Sequence, residues 1–204
     1  MSFMKLSLSA LAAVSLGGCV SLIPDPAPSE AIYRLSPATV SVPQSPSAKV
    51  VRIDRPSVSS VFETRSILVS PDSRRLASAS GAQWSEIIPV MVQESFVDLL
   101  GQRAGLVGVI PSSGARTDTR VHLTIKRFEA EFDRGEESAP LATVHYAVTL
   151  SNASNRNLIS SHDVLRTVRS DAVRVSSIVK AMDAANVQAL NDIADWLERS
   201  PIQS

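Results

Sequence analysis

The sequence predicts an α/β sandwich of the α+β kind: two layers, an antiparallel-rich sheet with two main helices packed on one face. Two observations lead there. Runs with a two-residue apolar alternation, the period of a strand, outnumber runs with three- and four-residue steps, the period of a helix. Their order is four short strands, a helix, four more strands and a last helix. That is too rich in strands for a doubly wound parallel sheet, and both helices are needed to cover one sheet face.

Composition sets the outer bounds. The chain has 204 residues, 44% hydrophobic and 20% charged, enough for one core and some extra segments. Basic and acidic residues balance at 20 each, which argues against a nucleic-acid partner. No basic block marks a polybasic membrane patch.

The first 30 residues carry the strongest local signal. Lys5 precedes an apolar stretch from Leu6 to Leu16. That stretch falls well short of the roughly 20 apolar residues that span a bilayer, so it reads as a secretory leader. Cys19 is the single cysteine, so neither an internal disulfide nor a cysteine zinc site is available. Leu16, Gly17, Gly18 and Cys19 follow the leader in an order that resembles a bacterial lipobox. The resemblance implies that the Cys19 sulfur takes a diacylglyceryl group, that the leader is cut before Cys19, and that the new amino group is acylated. A thiolate nucleophile is what such chemistry needs. Several acyl chains matter, because each buried CH₂ contributes about 0.8 kcal/mol and one chain anchors only reversibly. Val20 stands where an Asp would favour retention at the inner membrane, so the resemblance implies the periplasmic face of the outer membrane.

The organisation expected is a signal peptide over 1–18, a lipidated cysteine and Pro-rich tether over 19–30, and a folded domain over 31–200. Pro24, Pro26 and Pro28 forbid a helix in the tether. At about 3.1 Å per residue it would hold the domain roughly 30 Å from the lipid surface. Pro37, Pro43 and Pro46 mark the next stretch as loop.

Within the domain, "IYRLS" (32–36) and "KVVRIDRP" (49–56) read as short strands, the second closed by Pro56. "TRSILVS" and "RRLASAS" flank Pro71-Asp72-Ser73 and form a hairpin. Between them, "SVSSVFE" (57–63) reads as a loop carrying Val58, Val61 and Phe62. Apolar loop residues either fold back on the core or form a binding patch, so these three are a candidate partner-binding loop with both readings open. Ile88, Met91, Val92, Phe96, Leu99, Leu100 and Arg103 make a helical stripe that starts near Glu86 to Ile88, with Pro89 in its first turn and Gly105 as its stop. "LVGVIP" (106–111) reads as a buried strand.

The longest strand pattern changes parity. Val121, Leu123 and Ile125 are odd, whereas Phe128, Ala130 and Phe132 are even. Both sets can face one core only if an extra residue intervenes, which predicts a β-bulge near Lys126-Arg127. Ala142, Val144, Tyr146, Val148 and Leu150 alternate cleanly. "SNASNRN" (151–157) is a turn, and "LISSHDVLRTVR" (158–169) a further strand. A last helix has its stripe at Ile178, Met182, Ala185, Ala189, Ile193, Trp196 and Leu197, with Ser176 or Ser177 as N-cap and Pro201 beyond its end. Trp84, Phe96, Met182 and Trp196 are the expected core anchors.

The lipobox, an early "YRL", a hairpin followed by "WSEIIPVMVQESFVDLL", and the C-terminal "IVKAMDAANVQALNDIADWL" together resemble the ABC-type transport auxiliary lipoproteins, the PqiC-like group. The resemblance spans about residues 31 to 199. It implies a non-enzymatic auxiliary or docking component of an intermembrane lipid or solute transport system. Its partners would be an MCE-domain protein and, through it, an inner-membrane ABC transporter, and several copies could assemble as a homo-oligomeric ring. No cofactor is implied beyond the covalent lipid on Cys19. The other envelope role weighed is assembly in lipopolysaccharide export or cell-wall synthase activation.

A periplasmic hydrolase is the enzymatic alternative. His122, His145 and His162 each fall on a strand, and three histidines can hold zinc. However, His122 is in phase with Thr124 and Lys126, and His145 with Thr143 and Thr149, so a solvated polar face explains them without metal. No G-x-S-x-G elbow and no phosphate-binding glycine spacing occur. Glu129, Glu131, Asp133, Glu136 and Glu137 crowd one hairpin end and read as a solvated surface rather than a catalytic pair.

Overall fold

The computed structural model describes residues 29–36, 44–72 and 74–202. In chain order the elements are β1 (Ala31–Tyr33), β2 (Lys49–Ile53), β3 (Ser57–Val58), β4 (Ser66–Asp72), β5 (Arg75–Trp84), α1 (Ile88–Leu100), β6 (Leu106–Val109), β7 (Thr119–Glu131), β8 (Leu141–Asn152), β9 (Leu158–Arg169) and α2 (Val175–Arg199). Single 3-10 turns lie at Ser60–Phe62 and Pro111–Ser113.

Strand β7 organises the sheet. One of its edges pairs antiparallel with β8 from Thr119↔Asn152 to Glu131↔Leu141, and β9 continues the sheet beyond β8. Its other edge is lined end to end by three short parallel strands. These are β2 at Val51↔Thr119, β3 at Ser57↔Thr124 and β4 at Val69↔Ala130. β6 extends β2, β5 extends β4, and β1 extends β5. The long ladders are antiparallel and the parallel joins are short, which gives the expected two-layer α+β sandwich.

The bulge falls where the parity switch requires it. Ile125 faces Tyr146 and Arg127 faces His145, so Lys126 is the extra residue. Val121, Leu123, Ile125, Phe128 and Ala130 are consequently all buried on one face. Against them pack Ala142, Val144, Tyr146, Val148 and Leu150 of β8, with the inner sides of α1 and α2 above. Ala185 and Ala189 are fully buried, and their small side chains let α2 lie close to β8. Each fully buried Leu, Ile or Phe here contributes about 1.5–3 kcal/mol. Trp84 meets Phe128 edge-on at 6.0 Å.

Several local expectations are corrected. α1 ends at Leu100 with Gly101 at its C-cap, so Gly105 is not the stop. Two tight turns at Gln102 and Arg103 then lead into β6. β6 is an edge strand, and only Leu106 of it is buried. Gly108 on β6 allows α1 to approach, since a Cβ there would lie 2.9 Å from Leu100 Cδ1. α2 begins before its two serines: the N-cap is Arg174, and Ser177 is buried within the first turn. The segment 57–63 is not a free loop, because β3 adds two rungs to β7 before the 3-10 turn.

The N-terminal strand joins the sheet to the helix layer. The Tyr33 carbonyl accepts a bond from the Ser85 amide at 2.6 Å, Leu35 is buried, and the Ser36 amide donates to Asp183 of α2 at 2.9 Å.

Candidate functional site

The core anchors divide. Trp84, Phe96 and Met182 are fully buried. Trp196 is only half-buried and stacks on His162, ring centroids 5.4 Å apart, so it closes the flank of the sandwich rather than filling its centre. Cys19, the lipobox residues Leu16, Gly17 and Gly18, and the tether prolines lie outside the described residues.

In the 57–63 segment, Phe62 is buried and Val58 packs half-buried against the core, while Val61 is 42% exposed. The segment is pinned on both sides. Arg55 bonds Glu63 at 2.8 Å, Arg65 bonds Glu86 at 3.0 Å, and the Gln93 amide donates to the Ile53 carbonyl at 2.9 Å. Of the three apolar residues, only Val61 is exposed.

The histidines do not converge. His122 lies opposite Thr149 and His145 opposite Arg127, both on the open face of the sheet. His162 lies opposite the core residue Val148 and therefore faces the helix layer. Each has its own contact: His122 with Ser57 Oγ at 2.8 Å, His145 with Asp163 at 2.6 Å, and His162 with Trp196. The Ser57–His122 pair was not legible in the sequence, since β3 itself was not. It has two groups of a hydroxyl–imidazole–acid relay, and among the described residues no carboxylate bonds His122. No cluster of three or more His, Cys, Asp or Glu able to hold a metal occurs among the described residues.

Three acids of the run, Glu129, Glu131 and Asp133, are held in ion pairs. Arg127 reaches both Glu129, at 2.5 Å, and Glu131, at 2.8 Å. Burial alone would lower the Arg127 guanidinium, but its bonds to Glu131 and Glu129 leave it above its ordinary value. The hydrogen bond from Arg169 holds the Asp133 carboxyl below the usual carboxylate range. At the other end of β7, Arg52 and Arg120 converge on Asp54. On the open face Glu129, Glu131 and Asp54 are thus committed to guanidinium groups, whereas Asp163 bonds the His145 imidazole.

The surface clefts are small. One of about 190 Å³ lies between the N-terminal strand and α1, lined by Arg34, Leu35, Ser36, Met91, Glu94 and Asp98. Another of about 300 Å³ lies between β9 and α2 and is mostly polar. Drug-sized ligands usually occupy apolar clefts of about 300–1,000 Å³. Among the described residues, no helix is long and apolar enough to cross a membrane.

A family profile described as the ABC-type transport auxiliary lipoprotein component matches residues 33–194. The chain belongs to this family. As an ABC transport auxiliary lipoprotein, it shares its fold with protein XCC0632 from Xanthomonas campestris, at 20% identity and a TM-score of 0.69 over 82% of this chain and 94% of that one. A second solved structure, of an uncharacterized protein, is 12% identical with a TM-score of 0.66, covering 83% of this chain and 99% of that one. No curated protein matches the auxiliary lipoprotein. The match runs from the last residue of β1 into α2, so it covers both layers of the sandwich.

Proposed function

We propose that this auxiliary lipoprotein is a non-enzymatic docking component of an MCE-type intermembrane lipid transport system, held by lipids on Cys19 at the periplasmic face of the outer membrane. The observation that carries the reading is the family match over residues 33–194. The small clefts and the paired charges of the open face favour a protein that works through its surface. Its mechanism is positional. The acyl chains hold Cys19 in the membrane, the Pro-rich tether sets the reach, and the domain grips an MCE-domain protein that connects to the inner-membrane ABC transporter. Val61, the exposed apolar residue of the 57–63 segment, is part of the surface offered.

Brief crosslinking in cells, mild-detergent purification and mass spectrometry test this. Recovery of an MCE-domain protein is expected. Recovery of lipopolysaccharide-export or cell-wall proteins without one would move the function to another envelope pathway. Cys19→Ala should retain the leader and lose labelled fatty acid; continued acylation of that variant would refute the anchor.

A further inference from the structure

The core face of the sheet ends in a polar rung. Val121↔Leu150 is a fully buried apolar pair, and the next pair on that face is Thr119↔Asn152. Thr119 lies between Asn152 on β8 and the buried Val51 on β2, and it is 1% exposed. Its hydroxyl bonds no described residue. A valine would fill the same space with no polar atom to satisfy. A buried hydroxyl held there without a protein partner breaks the core pattern, and such breaks mark functional sites.

Thr119 lines a cleft of about 270 Å³ at this end of the sandwich. The other walls are Asn152, the turn residues Asn155 and Asn157, Ile159 near the start of β9, and Pro201 just beyond α2. The turn uses only the oxygen ends of its asparagines. Asn152 Oδ1 accepts from the Ser154 amide at 2.9 Å, the Ser154 hydroxyl at 2.6 Å and the Asn155 amide at 3.2 Å. Asn155 Oδ1 accepts from the Asn157 amide at 2.9 Å. The Nδ2 groups of all three asparagines, and Oδ1 of Asn157, bond no described residue.

No ionisable side chain lines this cleft. Asp118 and Arg156 neighbour its residues in sequence but form no part of its wall. A charged ligand would give up water here with no counter-charge to replace it. A wholly apolar ligand would strand the three amides. The lining matches a neutral ligand with carbonyl and hydroxyl oxygens for the Nδ2 groups and a small apolar group for Ile159 and Pro201.

We infer that this cleft is a binding site for a neutral N-acetylated amino sugar. The acetamido carbonyl and the sugar hydroxyls accept bonds from the asparagine Nδ2 groups. The Thr119 hydroxyl takes one further sugar oxygen, and the acetyl methyl lies against Ile159 and Pro201. This inference does not depend on the transport system proposed above.

The test uses the full chain, in a detergent without a sugar headgroup, and three trisaccharides. These are tri-N-acetylglucosamine, its de-acetylated cationic form, and cellotriose, which has hydroxyls in place of the acetamido groups. Titrations are followed by NMR of the asparagine side-chain amides. The acetylated trimer should bind about tenfold more tightly than either of the others. It should shift the amide signals of Asn152, Asn155 and Asn157, and bind equally well at low and high salt, because no ion pair forms. Thr119→Val keeps the side-chain shape and should weaken binding about tenfold with an unchanged melting temperature. Asn157→Ala, at an exposed turn position, should weaken it likewise. If Thr119→Val lowers the melting temperature, Asn157→Ala decides. Absence of binding, equal binding of the three sugars, a salt-sensitive preference for the cationic trimer, or unchanged affinity in Asn157→Ala overturns the inference.

Discussion

Tyr146 Oη donates a hydrogen bond of 2.7 Å to Asn186 Oδ1 in the centre of the molecule, with both side chains fully buried. Asn186 in turn donates through Nδ2 to Ser95 Oγ at 3.2 Å. One polar thread therefore joins β8, α2 and α1 through an otherwise apolar core. Such a thread fixes the helices in register on the sheet, because any other placement strands a buried polar group.

Tyr146→Phe leaves Asn186 Oδ1 without its donor and is expected to cost about 1–3 kcal/mol in urea unfolding. Burial also raises the Tyr146 phenol well above its ordinary value. The unfolded chain then releases this proton first as pH rises. Its stabilising contribution is complete below about pH 10 and declines above that. Stability curves of wild type and Tyr146→Phe should converge at alkaline pH; parallel curves would mean that Tyr146 does not resist ionisation.

The bulge predicts which deletion β7 tolerates. Removing Lys126 leaves Ile125 opposite Tyr146 and Arg127 opposite His145, so Phe128 and Ala130 stay in the core. Removing Thr124 instead would turn Ile125 outward and Lys126 inward, a loss of about 3 kcal/mol or more. Thermal melts should show a cooperative transition for the first deletion and an unfolded or much weakened chain for the second.

Asp133 and Arg169 clamp the β7–β8 connection to the end of β9, and Arg169 also donates to the Ala139 carbonyl at 3.0 Å. The bond to Asp133 raises the Arg169 guanidinium and lowers the carboxyl. A lowered carboxyl contributes stability above the unfolded value near ~3.9, and that contribution is lost as pH falls through the folded value. Asp133→Asn should therefore destabilise at neutral pH and flatten the acid limb of the stability curve. Equal acid sensitivity in both proteins would discount the clamp.

Arg103 bonds Asp195 at 2.5 Å, Glu198 at 3.2 Å and Asn191 at 2.8 Å. Burial alone would lower its guanidinium, but the bonds to Asp195 and Glu198 leave it above its ordinary value. Arg103→Ala should cost about 1–3 kcal/mol, and Arg103→Lys should recover only part, because an ammonium cannot span three partners on one helix. Urea midpoints of both variants check this.

The sequence by itself determined the elements whose signal is local and periodic. The parity switch at Lys126 specified a bulge because side-chain alternation in a strand is strict. The stripes of α1 and α2 specified their buried sides, and Pro89 the start of α1. It also carried the resemblance that the family match over residues 33–194 bears out. Tertiary structure decided what depends on a neighbour. Two residues of β3 have no pattern of their own and exist as a strand only because β7 offers unpaired groups beside them. Trp196 has helical spacing with the core stripe, yet β9 supplies His162 beneath it and keeps it at the flank. The three histidines share strand context, but the pairing of β7, β8 and β9 places His162 on the opposite face from the other two. That β9 pairs only with β8 among the described residues was equally hidden, since an edge is a property of strand order, which long-range burial decides.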